Sequence, residues 1–349
     1  MAFKLKGIAK YILIAVLVIL VSFGIFEAFL QLRYPDVPFS GKNVSSLSAG
    51  PDFNYLVVTN STGIREVSDY PLAHSGKYRI ALIGDSFVFG NSANNDETID
   101  SLLEMKYNNC SMPIEILNFG RAGIGPHGYL DSMQFARDNY SPDAYFVLLY
   151  LGNDFLNSYE DSFSGAKNIL KSCRSCMLFY DAFINISKQS DPENKDIPNN
   201  VYHKAKDDPQ FFARGLLIAE PQYISDASSA FENDLQEMKK FADAENKKIY
   251  FIAIPSPFQV SDKYFTEFGK MGFAFDEKML SDLKPQSEFA AICSKNNFLC
   301  YDLSNDIINS PEKESLYWPR DEHFKPAGYA LAADLLHDAV YPQMNLGCN

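Results

Sequence analysis

The stretch Tyr78-Arg-Ile-Ala-Leu-Ile-Gly-Asp-Ser-Phe87 decides the fold of this chain. Its apolar first part, rich in β-branched residues, predicts a buried parallel strand that stops at Gly84, Asp85 and Ser86. Gly84 permits a sharp turn, and Asp85 can hold that turn by hydrogen bonding to the neighbouring backbone. Ser86 is therefore left at the carboxyl edge of the sheet, where its hydroxyl can face a ligand.

Four further apolar segments alternate with helical patterns along the rest of the chain. We predict strands at Ile114–Asn118, Ala144–Leu151, Ile249–Ile254 and Phe298–Leu303. This alternation predicts an α/β protein with a doubly wound parallel sheet of five strands and right-handed crossovers. Ligands bind such sheets beyond the carboxyl ends of the strands, where the chain places Ser86, Gly120, Asn153 and His323.

The alternation is interrupted by a long segment, residues 155–222. A connection of this length inside a compact domain is usually functional or disordered, and its aromatic residues favour partial folding. Because the segment leaves the sheet directly beside Asn153, we predict that it forms a cap over Ser86 and sets substrate size.

The amino-terminal residues 1–33 differ in kind from the rest. Three lysines precede Tyr11–Leu30, where only Glu27 is charged, and a helix of that length can cross about 30 Å of hydrocarbon. Because lysines favour the cytoplasmic side, we predict an uncleaved transmembrane signal anchor that leaves the domain after it periplasmic or extracellular. A cleaved signal peptide, with a weak small-residue site at residues 22–24, is the alternative.

Behind this segment the chain becomes polar. Residues 34–51 contain Gly, Ser and Pro and predict a linker, and residues 52–345 then form the folded domain. The formal net charge of −13 disfavours nucleic acid as a partner, because acidic surfaces repel phosphate backbones. The sequence predicts no cofactor and leaves the oligomeric state open.

The six cysteines suit an oxidising compartment, where disulfides persist. Cys173 and Cys176 have no further Cys pair or His nearby, so a short disulfide is favoured over a metal site. Cys293 and Cys300 form a second near pair. Cys110 and Cys348 remain, and both follow helices that end at the amino-terminal edge of the predicted sheet, so a third disulfide between them is expected.

Acyl transfer from an ester needs a nucleophile, a base, a group that orients the base, and donors for the developing oxyanion. Ser86 is the candidate nucleophile, His323 the candidate base, and Asp321 is placed to bind the Nδ1 proton of that histidine. The candidate oxyanion donors are the backbone N–H groups of Ser86 and Gly120 and the side-chain amide of Asn153. Alternatively, Ser86 only caps the helix that follows the strand.

Four short blocks, taken in order, resemble those of the SGNH (GDSL-type) hydrolases: Gly84-Asp-Ser-Phe87, Asn118-Phe-Gly120, Gly152-Asn-Asp154 and Asp321-Glu-His323. The resemblance covers about residues 52–340. It implies a three-layer flavodoxin-like fold with strand order 2-1-3-4-5, and hydrolysis or transfer of an acyl group. It also implies that the first-block serine is the nucleophile and that the block-two glycine and block-three asparagine form the oxyanion hole, with Gly84, Asp85 and Asp154 in support.

Two blocks depart from the family pattern. In the third block the glycine directly precedes Asn153, whereas the family has one residue between them. In the last block the family has Asp-x-x-His, but position 320 is Arg here and the acid is Asp321. This Asp-x-His spacing resembles the periplasmic alginate O-acetyltransferase branch.

Three functions therefore stand at this stage. The first is an extracytoplasmic esterase that removes small acyl groups, with acetyl favoured, from a glycan or lipid. The second is an O-acyltransferase that places acetyl groups on a polysaccharide. The third, a non-catalytic binding module, is disfavoured by the complete set of Ser86, His323 and Asp321.

Overall fold

The computed structural model describes residues 14, 16–18, 21–29, 39, 41–72, 76–107, 113–162 and 204–344. Contacts divide the chain into two compact units, residues 1–37 with 163–195, and residues 38–162 with 196–349. The described residues of the first unit are helical, and residues 21–29 form their longest run. None of the helices in the described ranges combines the length and apolar character needed to cross a membrane.

The described residues of the second unit contain seven strands in two sheets. They are β1 (Ser45–Ala49), β2 (Asn54–Val58), β3 (Tyr78–Gly84), β4 (Ile114–Gly120), β5 (Ala144–Tyr150), β6 (Lys248–Ile254) and β7 (Leu299–Asp302). The main sheet has the order β4-β3-β5-β6-β7, and all of its neighbouring strands are parallel. The predicted five-stranded parallel sheet and its 2-1-3-4-5 order are therefore confirmed.

Helices cover both faces of this sheet. They are α1 (Ser86–Phe89), α2 (Ile99–Tyr107), α3 (Pro126–Tyr140), α4 (Asp154–Ser162), α5 (Phe211–Gly215), α6 (Pro221–Ala244), α7 (Pro257–Val260), α8 (Lys263–Lys270), α9 (Lys278–Ser281), α10 (Lys284–Asn296), α11 (Ser304–Ile308) and α12 (Pro326–Met344). Successive side chains of β3 point to opposite faces, so Leu82 packs in the core with α2 and α12, while Ile83 packs in the core with α3, α6 and α10. Two apolar cores with the sheet between them give the predicted three layers.

The segment predicted as a linker contains a strand. β1 pairs with β2 as an antiparallel hairpin, with Ser45 opposite Val58 and Ala49 opposite Asn54. Phe39, which is 5% exposed, packs against Phe135 with ring centroids 4.8 Å apart. The linker prediction is therefore wrong for these residues, because the hairpin partner and the core contact lie elsewhere in the chain and residues 34–51 alone carry no sign of them.

The segment predicted as a cap, residues 155–222, is part of the core at both ends. Phe155 in α4 is fully buried and stacks on Phe231 of α6, with ring centroids 4.1 Å apart. Phe212 in α5 is buried against Phe258. The described ends of the segment therefore contribute apolar side chains to the core. Residues 163–203, the middle of the predicted cap, lie outside the described residues.

One predicted disulfide is present. Cys293 in α10 is bonded to Cys300 in β7, with Cα atoms 6.2 Å apart. The bond joins the last strand of the sheet to the helix that precedes it. The other four cysteines, Cys110, Cys173, Cys176 and Cys348, lie outside the described residues.

Candidate active site

Ser86 lies where β3 ends and the short helix α1 begins. The carboxylate of Asp85 caps this helix by accepting a hydrogen bond from the Phe87 N–H at 2.8 Å. A Cβ on Gly84 would lie 2.5 Å from the Val88 side chain and 2.9 Å from the Leu148 carbonyl oxygen, so the tight turn requires glycine. The sequence thus folds locally into a turn that presents the Ser86 side chain at the sheet edge.

The structure brings Ser86, His323 and Asp321 together. Nε2 of His323 lies 2.7 Å from Oγ of Ser86, across 237 residues of sequence. On the other side of the ring, Nδ1 is hydrogen bonded to Oδ1 of Asp321, which also accepts the backbone N–H of His323 at 3.0 Å. A hydroxyl, an imidazole and a carboxylate in this order can move a proton away from the serine.

The same contacts shift the pKa values of His323 and Asp321. Burial alone would lower the pKa of His323, but the Asp321 carboxylate and its hydrogen bond outweigh burial and raise that pKa above 6.5. Burial would raise the pKa of Asp321, but the neighbouring imidazole holds it below its ordinary value. Both shifts favour an ion pair of imidazolium and carboxylate, the state that forms when His323 accepts a proton.

The loop that carries His323 is held from three directions. A β-bridge joins Tyr317 to Phe324 at the base of the loop. The imidazole packs on Phe87, with ring centroids 5.1 Å apart. Nε of Arg320, the residue at the position where the family has its acid, donates to Oδ1 of Asp52 at 2.9 Å. The β1–β2 hairpin is therefore fastened to the loop that presents the base.

In the structure Gly120 has a packing role that differs from the predicted role as an oxyanion donor. Its N–H already donates to Oδ1 of Asn118 at 3.0 Å, so it is not free for an oxyanion. A Cβ at this position would lie 2.0 Å from the backbone nitrogen of Phe89, so glycine is needed for α1 to pack on β4. Local sequence does not reveal this bond, in which the N–H points back to a side chain of the same strand.

Three other groups at the carboxyl edge lack such partners. Within the described residues, the backbone N–H groups of Ser86 and Gly123 have no hydrogen-bond acceptor. Gly123 follows β4, has φ near 80°, and nothing lies within 4 Å of where its Cβ would be. Asn153 is half-buried, and its Oδ1 is buried without a donor. The two N–H groups, unlike the Gly120 N–H, are free to donate to a substrate oxygen, whereas in Asn153 only the Nδ2 end of the amide is a donor.

The predicted supporting acids are both buried carboxyls. Burial raises the pKa of Asp85 to about 7, although its hydrogen bond to Phe87 and the nearby His323 act in the opposite direction. Asp154 accepts the Tyr150 N–H at 2.9 Å and the Tyr129 hydroxyl at 3.0 Å. Burial, followed by the charge of Asp85, also raises the pKa of Asp154. The two acids fix the turns after β3 and β5.

Sequence reasoning missed Asn91, whose Nδ2 lies 3.4 Å from Nε2 of His323. Asn91 ends the turn behind the nucleophile, and its backbone N–H donates to the Ser86 carbonyl oxygen at 2.9 Å. The available signal was an asparagine five residues after Ser86, followed by Asn94 and Asn95. In the described part of the chain, no three His, Cys, Asp or Glu side chains form a group that could hold a metal ion.

Comparisons with known proteins give matches among solved structures. No family model and no curated protein matches the sequence. A lipase/acylhydrolase from Enterococcus faecalis is 12% identical with a TM-score of 0.43, and the match covers 77% of this chain and 98% of that one. The psychrotrophic esterase EstA from Pseudoalteromonas sp. is 14% identical with a TM-score of 0.42, covering 77% of this chain and 100% of that one.

A GDSL-like lipase from Bacteroides thetaiotaomicron is 10% identical with a TM-score of 0.39, and the match covers 79% of this chain and 93% of that one. The solved structures that this chain matches thus include GDSL-type lipases, and its four sequence blocks resemble the same family.

Proposed function

We propose that this protein is a serine esterase that cleaves small acyl esters, with acetyl favoured, through an acyl-enzyme on Ser86. The observation that carries the proposal is the 2.7 Å contact between Nε2 of His323 and Oγ of Ser86, with Asp321 on Nδ1 of the same ring. In the proposed reaction His323 takes the serine proton as Oγ attacks the acyl carbon. Asp321 holds the tautomer in which Nε2 is the free base and stabilises the imidazolium that forms.

The oxyanion of the tetrahedral intermediate needs donors that are free before substrate binds. The Ser86 N–H and the Gly123 N–H meet this condition, and we assign the role to them and to Nδ2 of Asn153 in place of Gly120. All three stand at the carboxyl ends of the adjacent strands β3, β4 and β5. Water then attacks the acyl-enzyme, with His323 as base, and releases the acid.

A second candidate is O-acyltransfer to a cell-surface or secreted polysaccharide. The observation that favours it is the acid position: Asp321, two residues before His323, binds Nδ1, whereas Arg320 is ion-paired to Asp52. This Asp-x-His spacing resembles the alginate O-acetyltransferase branch. A sugar hydroxyl in place of water at the acyl-enzyme is the chemical difference between the two functions.

We place the enzyme outside the cytoplasm, anchored by residues 1–33. Support comes from the lysines that precede the apolar run, and from the exposed apolar side chains of the described helical residues, among them Leu17, Ile25 and Phe29. The disulfide between Cys293 and Cys300 suits an oxidising compartment. Residues 163–203 remain our proposal for a cap that sets substrate size.

The test is to incubate the purified protein with p-nitrophenyl acetate, with and without candidate glycans, and to measure both released acid and acetylated glycan. The esterase proposal expects acid release that does not depend on the glycan. Acetylated glycan formed at the expense of free acid would establish the transferase instead. If neither product forms faster than with the Ser86→Ala variant, the serine-ester proposal is wrong.

A further inference from the structure

Hydrogen bonds to its backbone and its side chain hold Asn91 beside the candidate base. Its backbone N–H donates to the Ser86 carbonyl oxygen at 2.9 Å, and its own carbonyl oxygen accepts the Tyr329 hydroxyl at 2.7 Å. The Tyr55 hydroxyl, from strand β2 of the hairpin, donates to Oδ1 of Asn91 at 3.3 Å. Because Oδ1 accepts this bond, the Nδ2 group faces the opposite way, towards His323.

The Nδ2 group of Asn91 has a hydrogen that is available for a substrate atom. A neutral imidazole that carries its proton on Nδ1 has a single lone pair on Nε2. The Ser86 hydroxyl takes that lone pair at 2.7 Å, whereas Nδ2 of Asn91 stands further away at 3.4 Å. Asn91 is also only half-buried, so a substrate atom can reach it. The amide is therefore a fixed donor beside the atom that passes the proton.

We propose that Asn91 hydrogen bonds to the alcohol oxygen of the ester, the oxygen that leaves when the acyl-enzyme forms. This oxygen must come within hydrogen-bond distance of Nε2 to receive its proton, and an atom there is also within reach of Nδ2. The role rests on the proposed esterase function. It extends that function to a substrate class: esters of aliphatic alcohols such as sugar hydroxyls, whose oxygen needs help to leave.

The step balances without any further reactant. The Ser86 oxygen forms a bond to the acyl carbon, and its proton moves to Nε2 of His323. As the intermediate collapses, the bond from carbon to the alcohol oxygen breaks, and its electron pair goes to that oxygen. The oxygen takes the proton from Nε2, while Asn91 stabilises the growing negative charge by hydrogen bonding and transfers no proton.

The hairpin gives this donor its orientation, so part of the effect depends on residues far from the nucleophile in sequence. Asn94 and Asn95 accept the backbone N–H groups of Leu56 and Val58 at 2.9 and 3.0 Å, which fastens β2 to the loop that carries Asn91. Tyr55 directly precedes the first of these two anchored positions, so the anchored strand holds its backbone beside Asn91. We therefore expect Tyr55→Phe to act in the same direction as Asn91→Ala, but more weakly.

The experiment compares two acetyl esters that differ only in the leaving group. It measures kcat/KM, which reports formation of the acyl-enzyme, for p-nitrophenyl acetate and ethyl acetate with wild type and Asn91→Ala. Phenolate leaves readily without help, whereas ethoxide does not. We expect Asn91→Ala to lose about tenfold more on ethyl acetate than on p-nitrophenyl acetate, the size of one hydrogen bond. Asn54→Ala, an exposed asparagine on the same hairpin, serves as the control and should leave the ratio unchanged.

Equal losses on both esters, or no loss on either, would overturn the role of Asn91, because a merely structural residue moves both rates together. If Asn91→Ala does not fold, as judged by its melting temperature, the same ratio measured with Tyr55→Phe decides. In that case an unchanged ratio overturns the proposal. If the Ser86→Ala variant instead keeps the wild-type rates, the proposed function is wrong, and so is the role of Asn91 that rests on it.

Discussion

Two polar groups of this protein each contain partly or fully buried carboxyl side chains, and the pKa values of those carboxyls shift in opposite directions. One is the candidate site of Ser86, Asp321 and His323. The other, here called the carboxyl cluster, consists of Glu66, Asp100 and Glu104.

In the candidate site the acid faces an imidazole, which keeps the pKa of Asp321 below its ordinary value despite burial. In the carboxyl cluster burial is joined by repulsion between acids, and the pKa of Glu104 rises to about 7. Burial raises the pKa of Asp100 to about 6.

The difference shows that the neighbouring ionisable group, more than burial, decides whether a carboxyl of this protein is charged. The site carboxylate stays charged and orients a base. The carboxyl cluster has a structural part, since Asn118 donates from its backbone to Glu66 at 2.9 Å and from its side chain to Asp100 at 2.6 Å. Asn118 in turn accepts the Gly120 N–H, so the cluster fixes the end of β4 beside the site.

The largest effect is expected for Ser86→Ala. Loss of the nucleophile should lower kcat/KM for p-nitrophenyl acetate by about 10³ or more, with the protein still folded. Circular dichroism and the melting temperature check the fold. Ser287→Ala, on an exposed face of α10, is the matched control and should keep wild-type activity. Wild-type turnover in the Ser86 variant would contradict the serine mechanism.

Asp321→Asn tests the charged half of the comparison. The amide cannot stabilise the imidazolium, and it favours the wrong tautomer, so we expect kcat to fall by about 10² or more. Glu322→Gln is the control, because Glu322 instead accepts the Tyr150 hydroxyl at 3.0 Å. The assignment of the acid would be wrong if the Glu322 variant lost as much as the Asp321 variant. A wild-type rate for Asp321→Asn would make the site a dyad of Ser86 and His323.

The pH dependence of kcat/KM should report the raised pKa of His323. The base acts only when neutral, so activity is low below its pKa and rises as the pH increases through it. Because Asp321 raises this pKa, the rise should lie above pH 6.5, and Asp321→Asn should shift it to lower pH. A profile that is flat from pH 5 to 8 would argue against a histidine base.

Glu104→Gln tests the carboxyl cluster and has the smallest expected effect. Folding raises the pKa of Glu104 from 4.5 to about 7, so between these values the folded protein binds more protons than the unfolded chain. The free energy of unfolding contributed by this residue is therefore present below pH 4.5 and is lost as the pH rises to about 7.

Glutamine is neutral at every pH, so the stability of the variant relative to wild type should increase from pH 4.5 to pH 8. Urea unfolding at these two pH values measures the change. Glu237→Gln, an exposed carboxyl on α6, should show no such gain. An equal change at both pH values for Glu104→Gln would mean that the residue acts by packing alone.

The sequence by itself determined the layers of this protein and the ends of its strands. Apolar runs such as Ala144–Tyr150 and the block Gly84-Asp-Ser-Phe87 are local patterns, and parallel strands bring their carboxyl ends to one edge. That rule was enough to place Ser86 near His323 although 237 residues separate them. The near pair Cys293 and Cys300 was predictable for the same reason, since both ends of the bond lie close in sequence.

Only the tertiary structure decided which polar groups are free and which are already bonded. The Gly120 N–H is occupied by Asn118, the β1–β2 hairpin fastens to the loop that carries Asn91, and three acids share one buried cluster. Each of these depends on a side chain that approaches from another element at a particular angle. A hydrogen bond is made or lost over less than 1 Å. Sequence patterns define the ends of helices and strands only to within a residue or two, so they do not predict such distances.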